Sequence, residues 1–463
     1  MNKLKGLSVL LLFFLSWISL YWLTGYKTPW YYFSEYDNAK GISFHLGDIA
    51  VENYDRMGFT KALVQYVEPA DSWLVGTERG EVFLLDNAGR QMWKRALGLG
   101  KFVSMALSKD GRVAYIGEQS PSGQLFALNA ETGDLLWKYE ASEAVGADAK
   151  MHSYPAVVHI SVDKEDNVFI NAYRFAMYRD GSRGYHARIL SFSKKGELRW
   201  QYPQNEVMDT WTTWCDANGY NDGLVVSTSS YEVRPGMKYK DTLYFLNKQT
   251  GQLASSLAIS PIAPYSKTVM RGSPNFSADG KLLAGSTSDG RAFLFDYSGK
   301  LLWERELSRP TLIDNSWINA SGRDGYVYGD SVLFTTINTF NRENWQLPTP
   351  VDHPGSNGLF VFDVDGKFRY RYKGLGTIEQ IAVADGIVAC AVGRNIRTHE
   401  YAAHGGVIIR LKDGSEEAFF PTEGPLQAIA LSADGKTAAG VEAPALTGEG
   451  KILGAYRFHL WRL

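Results

Sequence analysis

Two cysteines in 463 residues provide neither a disulfide scaffold nor a zinc or iron–sulfur site built on four thiolates. An excess of charge of one sign is missing as well. Lys+Arg total 48 and Asp+Glu 50, a net of −2, so no basic field is available to hold a nucleic-acid backbone. Nucleic acid is therefore not an expected partner. No G-x-S-x-G, no P-loop and no dinucleotide fingerprint occurs. DVDG at Asp363 lacks the acidic ligand that an EF-hand needs at its twelfth position, and His399 and His404 in HEYAAH miss the i, i+4 spacing of a zincin. What the chain does have is 45% hydrophobic and 13% aromatic residues, with 46 glycines against 16 prolines. Such a composition can bury a large core of strands joined by tight turns.

One long apolar run is present, GLSVLLLFFLSWISLYWLTGY from Gly6 to Tyr26, uncharged and preceded by Lys3 and Lys5. It is long enough to cross a bilayer as a helix. A cleaved signal peptide is the alternative, but its apolar stretch is shorter and ends in small residues, whereas this one ends in aromatics. The reading is an N-terminal anchor over 1–26 and a linker over 27–41. The lysines put the rest of the chain on the extracytoplasmic side, periplasmic or extracellular, with the membrane itself as one partner.

The remainder is one unit repeated. GEVFLLDNAGRQMW (80–93), GQLFALNAETGDLLW (123–137), ARILSFSKKGELRW (187–200), DTLYFLNKQTGQLAS (241–255), GRAFLFDYSGKLLW (290–303), GLFVFDVDGKFRY (358–370) and GVIIRLKDGSEEA (406–418) share a strand, a glycine turn and a second strand. A second turn recurs upstream, as SKDGR at Ser108 and SADGK at Ser277 and Ser432. Residues 273–307 show a whole unit, a four-stranded meander. Meanders every 40 to 60 residues with no helical period between them read as the blades of a β-propeller. The expected fold is all-β, an eight-bladed propeller over 42–463. The strand-like segment at 42–51 would complete the C-terminal blade and so remove two exposed edges.

The form G-x-L-x-A-L-N-A-x-T-G-x-x-L-W, intact from Gly123 to Trp137, resembles the tryptophan-docking repeat of the quinoprotein (PQQ-like) propeller family. That resemblance implies that Trp93, Trp137, Trp200, Trp303 and Tyr370 pack between neighbouring blades. Ser255 and Ala418 depart from the pattern, so blades 4 and 7 are expected to be the loosest joints. The family contains quinone-bearing alcohol dehydrogenases and non-enzymatic scaffolds, such as the lipoprotein that assists outer-membrane barrel assembly. The dehydrogenases carry an adjacent cysteine pair, whereas Cys215 and Cys390 stand far apart and are expected to remain free thiols. No cofactor is expected on that ground. PQQ with calcium is the alternative, without a matching site.

In a four-stranded meander the second-to-third and blade-to-blade connections share one face. All the insertions fall there, at 173–186, 229–240, 337–356 and 394–404. Tyr173, Arg174, Tyr178, Arg179, Tyr185 and Trp345 are the expected partner-binding residues, since Tyr, Trp and Arg combine contact area with a polar handle. His152, Asp209, Trp211, Arg271, Asp314 and Trp317 are expected at the channel mouth. No catalytic residue and no metal ligand is assigned. The functional expectation is a membrane-anchored scaffold binding another envelope or surface protein. The rival is an enzyme that uses the axial channel, a quinoprotein oxidoreductase or a hydrolase or transferase.

Overall fold

Strands with apolar residues on both faces can be satisfied only where sheets stack on either side of them. In Glu81–Asp86, Phe83 and Leu85 pack into one neighbouring sheet, while Val82 and Leu84 pack into the other. The next strand, Gln91–Ala96, buries only Trp93 and exposes Gln91, Met92 and Lys94, as an outermost strand must. The computed structural model describes residues 41–47, 62–98, 101–230, 236–239, 241–313, 315–340, 353–374, 376–393, 404–446 and 450–463. The apolar run at 6–26, Asp314 and Trp345 lie outside them. Among the described residues no helix is long and apolar enough to cross a membrane.

The described residues form antiparallel sheets that follow one another along the chain, within 62–96, 101–202, 211–257, 275–306, 311–373 and 378–421. The sheet within 101–202 has eight strands and consists of two meanders joined where Ala156 lies opposite Gln119. The last sheet combines three C-terminal strands with the N-terminal Gly41–Gly47, which pairs antiparallel with Tyr456–Arg462 from Gly41 opposite Trp461 to Gly47 opposite Tyr456. One apolar cluster then joins this last sheet to the first, through Val441, Tyr456 and Phe458 on one side and Val64, Trp73 and Phe83 on the other. The stack therefore closes on itself.

The joints between successive meanders share one construction. Trp137 donates its indole N–H to the Lys194 carbonyl at 2.9 Å, and its ring covers Gly196, where a Cβ would lie 2.6 Å from the indole. Trp93, Trp200 and Trp303 bond the Ala130, Lys248 and Val364 carbonyls at 3.1, 2.9 and 2.9 Å, and Tyr370 reaches the Leu411 carbonyl at 2.9 Å. At the joint that begins from Ser255 a different ring fills the same place. Phe245, one strand inward, places its ring 2.6 Å from the position a Cβ would take on Gly299. Where Ala418 stands, Phe420 instead stacks on Trp461 at 5.1 Å and 10°. At the closing sheet Phe44 covers Gly89 in the same way.

The inner strands are stitched to one another around the axis. Gln65 bonds the Met105 carbonyl and Ser104 the Val157 carbonyl. Ser161 bonds Asp216, which also accepts the Phe276 N–H, and Asn275 bonds the Gly325 carbonyl. Arg323 bonds the Ile378 carbonyl and Gln380 accepts the Ile429 N–H. The turns at Ser108, Ser277 and Ser432 are built alike, each serine hydroxyl donating to the aspartate two residues on at 2.6, 2.7 and 2.7 Å. Both cysteines are free and buried, in the separate strands Trp211–Ala217 and Ile387–Val392.

If Phe245 replaces the missing tryptophan at its joint, Phe245→Ala should destabilise the protein by about 3–5 kcal/mol, the usual cost of truncating a buried aromatic. Ser255→Ala, on an exposed strand, should stay within about 0.5 kcal/mol. Chemical denaturation of the two variants beside the parent checks this, and a larger loss from Ser255→Ala would assign the joint to the wrong residue.

Candidate interaction face and axial cavity

Val168–Met177 and Arg183–Phe192 pair over their whole length, from Val168 opposite Phe192 to Met177 opposite Arg183. The flanking strands stop earlier. The inner one follows only as far as Tyr173 and the outer one only as far as Ile189. Residues 174–177 and 183–186 therefore rise as a two-stranded ribbon. This corrects the expectation of a loop over 173–186. The tip closes as a tight turn, with Gly181 at φ +81 and bonded to the Tyr178 carbonyl, and Asp180 accepting the Ser182 N–H at 2.9 Å. A turn that short leaves the residues before it free to continue the ladder.

The ribbon draws together residues from both expected groups. Tyr173 lies 5.6 Å from Tyr185 and 5.6 Å from Trp211, Tyr185 lies 6.0 Å from Trp211, and Phe175 bridges Tyr185 and His152 at 5.9 and 6.1 Å. Burial pushes the Tyr173 hydroxyl well above the ordinary tyrosine range. Arg174 is committed within the fold, donating to the Val145 carbonyl at 2.8 Å and lying 3.0 Å from His186 Nδ1. Burial, and then the Arg174 charge, hold His186 below the ordinary histidine range. Tyr178 donates to the Tyr185 carbonyl at 2.8 Å. These two residues brace the ribbon; Met177, Arg179 and Arg183 at its tip are exposed.

A second ribbon rises on the same face from Ser316–Tyr328 and Ser331–Phe340, paired from Ile318 opposite Phe340 to Tyr328 opposite Ser331. The following strand covers only Ser331 to Thr335, so the far end stands clear. Thr311–Ile313 folds back onto it and sets Leu312 directly opposite Trp317, 53% and 41% exposed. Sequence reading singled out Trp317 but missed Leu312 and Met177. The signal for Leu312 was present in TLIDNSWI, two short apolar segments around a D-N turn.

Two cavities lie along the axis, and the expected mouth residues His152, Asp209, Trp211, Arg271 and Trp317 are not among their lining. Those cavities, about 530 and 490 Å³, share Gln65, Tyr66, Glu68 and Leu107 and lie at the tight-turn end of the inner strands. The second holds His159 stacked on Trp214 at 3.5 Å and the half-buried Asp216. Burial pushes the Asp216 carboxyl up to about 6, against the pull of hydrogen bonds from the Phe276 N–H at 2.7 Å and Ser161 at 3.2 Å. Of the carboxylates lining this cavity, Asp216 and Asp110 accept hydrogen bonds from protein donors, and the two cysteines lie in different sheets.

Comparison with known proteins agrees with this architecture. Residues 78–233, about a third of the chain, match the model of a family described as outer membrane protein assembly factor BamB, and the repeats are of its PQQ-like kind. The crystal structure of BamB from Moraxella catarrhalis superposes with a TM-score of 0.51 at 14% identity, covering 91% of this chain and 100% of that one. The computationally designed Ika8 protein superposes with a TM-score of 0.50 at 11% identity, covering 87% and 96%. No curated protein matches this chain in sequence. At these identities the superpositions establish the β-propeller fold.

Asp216 gives the fold a pH signature of definite sign. Its carboxyl holds a proton more tightly folded than unfolded, so folding takes up a proton between about pH 4 and pH 6. Stability from this group falls as pH rises through that window and is flat above it. Asp216→Asn should remove a slope on the order of 2–3 kcal/mol across the window. Denaturation of parent and variant at pH 4.5 and pH 7 measures it, and parallel curves would contradict the assignment.

Proposed function

We propose that this chain is a membrane-anchored, extracytoplasmic, eight-bladed propeller that serves as a protein-binding scaffold in the cell envelope or at the cell surface. The eight-blade reading takes the eight-stranded sheet as two blades and counts the sheet closed by Gly41–Gly47 as the last. The anchor is the uncharged run from Gly6 to Tyr26. One observation carries the binding function. Two braced ribbons rise on a single face and present Met177, Arg179, Arg183, Leu312 and Trp317 outward, whereas the opposite face consists of tight turns. Exposed aromatic, methionine and arginine side chains on rigid supports are the anchors that protein interfaces use. The groups gathered there are aromatic faces and guanidinium ions, which suit recognition.

A photo-crosslinking residue placed at Met177 or Trp317 in cells should yield a defined protein adduct, and one placed at Lys281 on the tight-turn face should not. With the partner so obtained, Trp317→Ala should weaken binding by about 2 kcal/mol, roughly thirtyfold, without moving the melting temperature. Adducts from Lys281 alone, or undiminished binding by the Trp317→Ala variant, would count against this face.

A further inference from the structure

We propose that the tight-turn face rests on a zwitterionic lipid bilayer, so that the ribbons point away from the membrane. The inference depends on the anchored reading above and adds an orientation to it.

The direction of the N-terminal strand carries the argument. The Leu463 N–H bonds the Lys436 carbonyl at 2.8 Å, which sets the end of Tyr456–Arg462 beside the turn at Ser432. Gly41 lies opposite Trp461, and Phe44 covers Gly89 in another tight turn. The chain thus joins the ring from the tight-turn face and runs toward the ribbon face. Residues 27–40 alone separate that point from the apolar run, a tether of at most about 50 Å at roughly 3.3–3.6 Å per residue.

Side chains on the tethered face suit what it would meet. Leu135 and Leu136 begin one outer strand and Leu301 and Leu302 another, each roughly half exposed directly after its turn. Tyr220 and Tyr297 stand on turns of the same face, 66% and 55% exposed. Tyrosine favours the headgroup level, where a ring and a hydroxyl are both accommodated. Charges of both signs occupy the same turns, Asp134, Asp222 and Asp296 beside Lys281, Lys300 and Lys436. A face of mixed sign gains little from anionic lipid and suits the paired charges of a zwitterionic headgroup. The tether limits how far the face can retreat, and the leucine pairs favour contact once it is near.

The test uses the full chain in nanodiscs of zwitterionic phospholipid doped with a nitroxide-headgroup lipid. Fluorophores are attached at Leu136→Cys, Tyr297→Cys and Met177→Cys, all exposed positions, while the native cysteines remain buried. Met177 stands about 30 Å above the turns, ten strand residues at about 3.3 Å each. Emission should be largely lost at 136 and 297 and unchanged at 177. A chain that fails to float with liposomes overturns anchoring and docking together. A chain that floats but shows equal or inverted quenching overturns the docking alone. Weak quenching at 136 combined with transfer between labelled copies would give the face to a second copy and also overturn it.

Discussion

An aromatic ring lying flat on a glycine of the next meander is the contact on which the rest of this structure depends. The glycine has positive φ, +85 at Gly196 and +88 at Gly299, a conformation that side-chain-bearing residues resist. It therefore offers a bare backbone surface at the tip of a turn, and the ring fills it. The hydrogen bond from Trp137 to the Lys194 carbonyl then fixes the ring's orientation. Each meander but one is thus located against the next by one large side chain and one turn, the exception being the Phe420–Trp461 stack, and repetition of that joint generates the ring. The substitution of Phe245 at one joint shows that the requirement is a ring in that volume, supplied from whichever strand can reach.

A closed ring also needs its last joint to be as well made as the others. The N-terminal strand provides this by pairing with Tyr456–Arg462, and a cross-strand chain reinforces it. Ser43 Oγ lies 2.8 Å from His459 Nδ1, whose Nε2 lies 3.0 Å from the buried Glu442. Hydrogen bonds from His459 and the Ala455 N–H outweigh burial and hold the Glu442 carboxyl below the ordinary glutamate range. The seam that joins chain ends more than 400 residues apart in sequence is therefore polar at its edge and apolar beneath, where Phe44 and Phe458 meet the first sheet.

The ring was legible in the sequence because its joints repeat there. An aromatic residue after a glycine turn, recurring along the chain, is a pattern that one sequence can display without relatives. Gly41–Gly47 was legible by subtraction, as a strand without a unit and a unit lacking a strand. The site was far less legible. Tyr173, Tyr185, Trp211 and His152 were each singled out, yet as two separate groups, because a reading by connections cannot see that the ribbon leans over the neighbouring sheet. Arg174 and Tyr178 were singled out for binding by composition, and the structure adds that each also braces the ribbon. Composition reports what a side chain could do. Its hydrogen bonds decide whether it is free to do it.

The difference between a loop and a ribbon matters for what the face can bind. A flexible loop must lose backbone freedom on association, on the order of 1–2 kcal/mol for each residue ordered. The ribbon at 174–186 has already lost it, through its cross-strand ladder and the contacts of Arg174 with Val145 and His186. Leu312 and Trp317 are likewise held opposite each other on paired strands. Contacts made by such side chains are then offset mainly by side-chain ordering, so a modest interface can be tight. The same rigidity narrows the partners that fit, since a ladder-bound ribbon does not reshape itself around a mismatched surface. On the scaffold reading, such a face would select its partner by shape, while the tight turns of the opposite face would have no comparable surface to offer.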